Sequence, residues 1–216
     1  MNAHLGFNPR SQANSNALCD FVVADLQQAC PEIEAAIRAK ALAVVKNPNV
    51  KTKVAERSID LVLREGAAKM VCISVENKTI MTAHGKARKN RYGDIIAYCN
   101  HMHNHRRECI AAAVIVVNTS PLYENPDAFA KGLVRPKFKM EKVVADTIKI
   151  FDQIPLREVA EEPNDQPEAL AVIVVNYDGV QPAFLVDYLP GESQIHYGTF
   201  IERIARLYVE RFTRAR

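Results

Sequence analysis

Three residues on two predicted strands have the types and the spacing of a metal-dependent hydrolytic site. Glu76 and Lys78 lie two positions apart in the apolar segment Met70–Lys78, so in a strand both point to one face. Asp60 lies sixteen positions before Glu76 in the preceding strand, and a hairpin of that length folds it back beside Glu76. Adjacent carboxylates repel each other unless a divalent cation joins them. Hard oxygen ligands of this kind suit Mg²⁺, with Mn²⁺ as a substitute.

The lysine gives this pair of acids a definite chemistry. An ammonium beside the metal can orient the attacking water or help to deprotonate it. Such a site suits in-line attack of water on a phosphodiester, because the cations offset the charge that develops on phosphate. Glu76-Asn77-Lys78 is the only acid-x-Lys triplet in the chain. From the triplet alone, a solvated strand end with an ion pair remains an open alternative.

Hydrophobic periodicity predicts the elements that position these residues, in an α/β fold with a mixed central sheet flanked by helices. Predicted helices cover 16–29, 31 to Asn47-Pro48, 92–106, 140–151 and 197 to about 214. Predicted strands cover 50–54, 59–64, 70–78, 109–117, 169–177 and 183–188, the first three side by side and the fourth buried on both faces.

The order of these elements, with an acid on the second strand and Glu-x-Lys on the third, resembles the PD-(D/E)XK superfamily of restriction-endonuclease-like nucleases. The resemblance covers about residues 16–118 and implies an αβββαβ core. Residues 119–216 would be an elaboration of the same single domain. It implies that Asp60, Glu76 and the backbone carbonyl of Asn77 are metal ligands and that Lys78 is the catalytic lysine.

A further acid is less firmly placed by this resemblance. Glu34 and Glu56 are the candidates, and Glu56 has the parity to share a face with Asp60 if one strand is continuous through both. The chain departs from the family pattern at Ile59, where the family has a proline before its first acid.

A basic segment, predicted to be a loop, follows the third strand directly. Cations beside an acidic site are needed to bind a polyanion, because the acids alone repel its backbone. We therefore expect this loop to bind phosphates, although an ordinary solvated loop is the alternative. Its candidate contacts are His84, Lys86, Arg88, Lys89 and Arg91.

Three alternating histidines lie on the predicted helix that comes next. Alternate residues of a helix diverge by about 200°, so they cannot converge on one ion. His101 and His105 share a face and could bind Zn²⁺ between subunits or face a partner. His103 falls on the apolar arc with Cys99 and is expected at the edge of the core.

Composition and missing motifs narrow the class of protein. The sequence has no GxxxxGK[ST], GxGxxG or GxSxG pattern and only eight glycines, so we expect no nucleotide cofactor. Five cysteines with no CxxC pair indicate free thiols in a reducing compartment. No apolar run approaches the ~20 residues of a spanning helix, and no secretory signal is visible, so a cytoplasmic protein without a membrane partner is expected.

These features together predict a Mg²⁺-dependent DNA endonuclease of restriction type. Cleavage of both strands needs two active sites or sequential nicking, so a homodimer is expected. The alternative is a non-catalytic module that binds nucleic acid or protein with the same fold.

Overall fold

The computed structural model describes residues 12–53, 55–66, 69–122, 132, 139–179 and 181–213. Its helices are α1 (Gln12–Ala29), α2 (Pro31–Arg38), α3 (His84–His105), α4 (Met140–Asp152) and α5 (Tyr197–Tyr208), which continues into a π-helical turn (Val209–Thr213). Its strands are β1 (Leu42–Lys46), β2 (Asn49–Lys51), β3 (Glu56–Ser58), β4 (Leu61–Glu65), β5 (Val71–Ile80), β6 (Ile110–Asn118), β7 (Ala169–Asn176) and β8 (Phe184–Leu185).

Six of these strands form one mixed sheet in the order β1-β4-β5-β6-β7-β8. The pairs β1/β4, β4/β5 and β7/β8 are antiparallel, whereas β5, β6 and β7 run parallel. The strands β2 and β3 pair only with each other, as a small separate sheet. The predicted α/β class with a mixed central sheet is therefore confirmed.

Helices cover both faces of the main sheet. One apolar core lies between the sheet and α1, α2 and α5, and a second lies between the sheet and α3 and α4. The central strand β6 is buried along almost its whole length, which confirms the prediction of a strand covered on both faces. Among the helices of the described residues, none combines the length and the apolar composition needed to cross a membrane.

The second helix is shorter than its periodicity predicts. It ends at Arg38, and Lys40 then adopts a left-handed backbone with φ of 57°. The prediction of a helix up to Asn47-Pro48 is wrong, because Leu42–Lys46 form the edge strand β1. The neighbour of β4 on this side is thus β1, and the predicted strand at 50–54 is replaced by the β2–β3 hairpin.

The other elements lie close to their predicted positions. Strands β5, β6 and β7 and helix α4 match the pattern, whereas β8 contains only two residues. Helix α1 begins at Gln12, four residues earlier than expected. All five cysteines are buried and free, which confirms the prediction of free thiols: Cys19, Cys30, Cys72, Cys99 and Cys109.

Candidate active site at the carboxyl edge of the parallel strands

The carboxyl ends of the parallel strands β5, β6 and β7 lie at one edge of the sheet. Two further segments reach the same edge. Asp60 precedes the antiparallel strand β4, and the first turn of α1 lies against it through Ser15. In open α/β sheets, ligands bind at this carboxyl edge, outside the strand ends. The predicted site residues therefore lie where the architecture leaves room for a substrate.

Glu76 and Lys78 contact each other on β5, so the prediction that they share one face is confirmed. Lys78 Nζ donates to Glu76 Oε1 at 2.5 Å, and Arg57 Nη2 donates to the same oxygen at 3.0 Å. The Glu76 side chain is only 4% exposed, compared with 20% for Lys78. A carboxylate this deeply buried needs a cationic partner, and here one oxygen has two.

Asp60 lies beside this group, one peptide unit away. Its Oδ2 accepts a hydrogen bond from the backbone N–H of Asn77 at 2.8 Å, and its Oδ1 accepts from the Ser15 hydroxyl at 2.9 Å. Asp60 therefore bonds to the peptide that follows Glu76, but its carboxylate turns toward α1. The Glu76 side chain instead contacts Arg57, which lies over Tyr98 of α3 on the other face of the sheet. That the two carboxylates meet at one metal ion stays a prediction.

The side chain of Asn77 completes the junction between β5 and α1. Its Nδ2 donates to Ser15 Oγ at 3.1 Å and to Cys19 Sγ at 3.3 Å. Burial, and to a smaller extent the nearby Asp60 charge, raise the pKa of Cys19 to about 11, so this thiol is uncharged near neutral pH. Asn77 Oδ1 is buried and has no hydrogen-bond partner among the described residues. A metal-binding role for the Asn77 backbone carbonyl stays a prediction.

The donors at this edge fit a hard cation better than a soft one. The described residues contain no cluster of three or more His, Cys, Asp or Glu side chains that could hold a metal ion. Mg²⁺ is commonly held by one or two carboxylates, with waters and substrate phosphate completing its octahedron. Asp60 is a carboxylate of this kind, and Asn77 Oδ1 is a buried oxygen acceptor on the same α1 side of the sheet. A contact of Glu76 with the same ion stays a prediction.

Neither candidate for a further acid is brought to this pair. Glu56 is exposed on β3, which belongs to the small hairpin and is not continuous with β4, so the condition for a face shared with Asp60 is not met. Glu34 pairs with Arg38 on α2, near the start of β1 and thus at the opposite edge from Asp60.

The predicted basic loop is wrong in its structure, because residues 84–91 form the first two turns of α3. Lys and Arg are good helix formers, and the segment starts after Ala83, which has a left-handed φ of 50°. His84 is buried, with Nε2 2.8 Å from the Asn118 carbonyl, so its ring does not face solvent. That contact with the end of β6 places the start of α3 at the carboxyl edge.

The other four cationic side chains of this segment differ in solvent exposure and in their hydrogen bonds. Lys86 and Lys89 are exposed, whereas Arg91 donates to Asp94 at 2.6 Å and to the Thr79 carbonyl at 3.4 Å. Arg88 is half-buried, and its Nε has no hydrogen-bond partner among the described residues. The two lysines are therefore the side chains best placed to meet a phosphate.

The histidines of α3 have structural partners. His101 Nε2 donates to the Val50 carbonyl at 2.9 Å, and His105 Nδ1 donates to the Lys51 carbonyl at 3.1 Å. Both therefore hold β2 against α3. His103 is buried, which confirms its predicted position at the core, and its Nε2 lies 2.9 Å from Glu168 Oε2.

A cleft of about 1030 Å³ opens beside Asp60, and Glu76 is not among the residues that line it. Asp60, Asn77 and Lys78 line one part of it, and apolar side chains of α1 and β7 line much of the rest. Phe21 of α1 lies in this wall and is largely exposed. The cleft gives a ligand direct access to Lys78.

Two residues of the site were not predicted from the sequence, Arg57 and the anchoring hydroxyl of Ser15. Arg57 lies three residues before Asp60 in the sequence, but this spacing indicates a site residue only once the geometry of the hairpin is known. Ser15 lies inside α1 and bonds to Asp60, a contact that its residue type alone does not indicate. Comparison of the chain with family models, curated proteins and solved structures found no match.

Proposed function

We propose that this protein is a Mg²⁺-dependent DNA endonuclease of restriction type, with a restriction-endonuclease-like fold. The observation that carries the proposal is the Lys78–Glu76 contact beside Asp60, at the carboxyl edge of β5. The element order supports it, since α1 precedes the antiparallel β1, β4 and β5, and α3 then leads to β6 parallel to β5. In an αβββαβ core of this kind, α2 and the β2–β3 hairpin would be insertions.

Each residue has a role that follows from its position. Asp60 and Glu76 would hold the metal together with the Asn77 carbonyl. When bound, Mg²⁺ supplies charge stabilisation at the phosphate and activates the attacking water. Lys78, unlike Glu76, lines the cleft, and it would orient that water. Ser15 fixes the Asp60 carboxylate by its 2.9 Å hydrogen bond, which reduces the reorganisation needed during the reaction.

The start of α3 supports binding of the nucleic acid. The exposed Lys86 and Lys89 lie at the same edge as the acids, where cations attract the phosphate backbone and release counterions. A homodimer would bring a second copy of the site to the opposite strand of a duplex.

One observation favours the second candidate, a non-catalytic binding module. Arg57 and Lys78 together compensate the buried charge of Glu76 without any metal. A carboxylate whose charge is compensated in this way can serve structure alone. Direct assay of metal-dependent cleavage separates the two functions.

The test is nicking of supercoiled plasmid with Mg²⁺ or Mn²⁺ by the wild type, Glu76→Gln and Lys78→Ala. We expect a loss of about 10²-fold or more in both variants, because each removes a group that stabilises the transition state. Arg38→Ala is the matched control, since it breaks an exposed ion pair with Glu34 at the opposite edge of the sheet from Asp60. Its activity should equal that of the wild type.

The proposal is contradicted if the wild type leaves plasmid, modified DNA and single-stranded DNA intact with either metal. Nicking that persists in Glu76→Gln would also contradict it, because the activity would then come from another site or a contaminant. DNA binding without cleavage would support the binding module.

A further inference from the structure

The β2–β3 hairpin brings one cation into the candidate site. Arg57 lies on β3, and its guanidinium is 3.0 Å from Glu76 Oε1 and 5.8 Å from the centre of the Tyr98 ring. Its side chain is 27% exposed, so it lies at the boundary between the buried carboxylate and solvent. Arg57 is the part of this exposed hairpin that reaches the acids.

The hairpin is attached to the domain at its base and through β2, whose Val50 is buried in the core on the α3 side. Its base continues from β1 and β4 through the Asn47 N–H to Asp60 carbonyl bond and the Ile59 N–H to Pro48 carbonyl bond, each 3.0 Å. Its β2 strand is held on α3 by the hydrogen bonds of His101 and His105. Since β2 and β3 pair with neither β1 nor β4, Arg57 can change partner without disturbing the main sheet.

Glu76 has two cationic partners, so one of them can be exchanged for a metal ion. Two cations share Oε1, although one would neutralise the carboxylate, and cations this close repel each other. With Asp60 included, two carboxylates and two cations cancel. A divalent cation added to this group creates an excess of positive charge, and the more exposed of the two side chains, Arg57, is the one that can leave.

We propose that Arg57 holds Glu76 in the metal-free protein, yields that carboxylate when a divalent cation binds, and then contacts a phosphate of the bound DNA. This inference rests on the proposed function and adds to it a substrate-binding residue that competes with the metal. The guanidinium suits both states, because its planar donors match the geometry of carboxylate and of phosphate.

The first test measures metal binding without any reaction. Mn²⁺ is titrated into the wild type, Arg57→Gln and Arg38→Gln, and free Mn²⁺ is followed by electron paramagnetic resonance. We expect the Kd of Arg57→Gln to be about tenfold lower, because a competing charge has been removed from the ligand. Arg38, an exposed arginine paired with Glu34 on α2, is the matched control and should change nothing.

The second test measures DNA affinity as a function of salt, with Ca²⁺ in place of Mg²⁺. Loss of one phosphate contact should reduce the slope of log K against log salt by about 0.9 in Arg57→Gln. Arg57→Lys retains the charge and should restore most of the slope, which a purely structural role would not do. Thermal melting of each variant verifies that it is folded.

The outcomes separate this inference from the function on which it rests. If the wild type cleaves DNA but Arg57→Gln binds Mn²⁺ no more tightly, the function stands and the competition is refuted. An unchanged salt slope refutes the phosphate contact. If the wild type neither cleaves DNA nor binds Mn²⁺, the proposed function and the role of Arg57 both fail.

Discussion

The largest single effect on stability is expected at Glu168, a fully buried carboxylate at the amino edge of the sheet. Its Oε1 accepts hydrogen bonds from Arg157 at 3.0 Å and from Arg211 at 2.9 Å. Its Oε2 accepts from His103 at 2.9 Å and from the backbone N–H of Ala111 at 2.8 Å. Glu168 and Arg157 are both 0% exposed, so water cannot replace either partner.

Glu168→Gln isolates the charge, because the amide has nearly the shape of the carboxylate and leaves no cavity. The substitution places an N–H₂ group among donors and leaves the buried Arg157 guanidinium without its counter-ion. Removing one partner of a buried ion pair costs about 3–5 kcal/mol of unfolding free energy. For a chain of this size, each kcal/mol lowers Tm by roughly 2–4 °C, so a decrease of about 6–20 °C is expected.

Urea unfolding followed by far-UV circular dichroism measures this difference. The matched control is Glu158→Gln, since Glu158 also pairs with two arginines, Arg203 and Arg206, but its side chain is 48% exposed. Exposed pairs of this kind contribute about 1 kcal/mol or less. If Glu168→Gln is no less stable than Glu158→Gln, the buried network is not a source of stability and the reasoning is refuted.

Two further predictions concern titration. Partial burial raises the pKa of Glu158, but Arg206 and Arg203 lower it more, so its pKa lies below the ordinary value. The ion pairs therefore stabilise the fold above about pH 5 and lose this effect as the pH falls through the folded-state pKa. The difference in urea midpoint between the wild type and Glu158→Gln should accordingly vanish toward pH 3, and a constant difference would contradict it. Burial also raises the pKa of Cys72 to about 11, as for Cys19. Native protein at about pH 8 should thus react with Ellman's reagent only as it unfolds, and a rapid stoichiometric phase would show an accessible thiol.

The sequence predicts well those elements in which the pattern of buried residues is enough to identify the secondary structure. The run from Ile110 to Val117 has no polar residue, so it identifies a central strand without any knowledge of its neighbours. The side-chain alternation of β5 similarly places Glu76 and Lys78 on one face. In each case the local pattern and the tertiary environment impose the same period.

The errors arise where tertiary pairing overrides the local pattern. Ile33, Ile37 and Val44 continue a helical spacing, yet pairing with β4 draws Val44 into an edge strand. The break occurs at Lys40, a lysine with positive φ, and no glycine marks it in the sequence. The polar segment at 84–91 has too few apolar residues to show a helical period, although its residue types permit a helix.

The displacement of β1 also explains why Arg57 was not predicted. If 50–54 were a sheet strand beside 59–64, the residues between them would be a turn, far from the acids. The observed hairpin is folded over α3 by His101 and His105, and only that placement brings Arg57 to Glu76. This contact depends on three segments distant in sequence, and no local pattern encodes it.

The two edges of the sheet satisfy their polar groups very differently, and this contrast indicates where function lies. At the amino edge, both oxygens of Glu168 accept two hydrogen bonds each, so that buried charge is fully compensated. At the carboxyl edge, two cations share one oxygen of Glu76, and Asn77 Oδ1 is buried without a partner among the described residues. Incomplete polar satisfaction is costly, and it typically persists where a ligand supplies the missing partners. The unpartnered oxygen of Asn77 therefore favours this edge, and not the Glu168 network, as the place where we propose that a ligand binds.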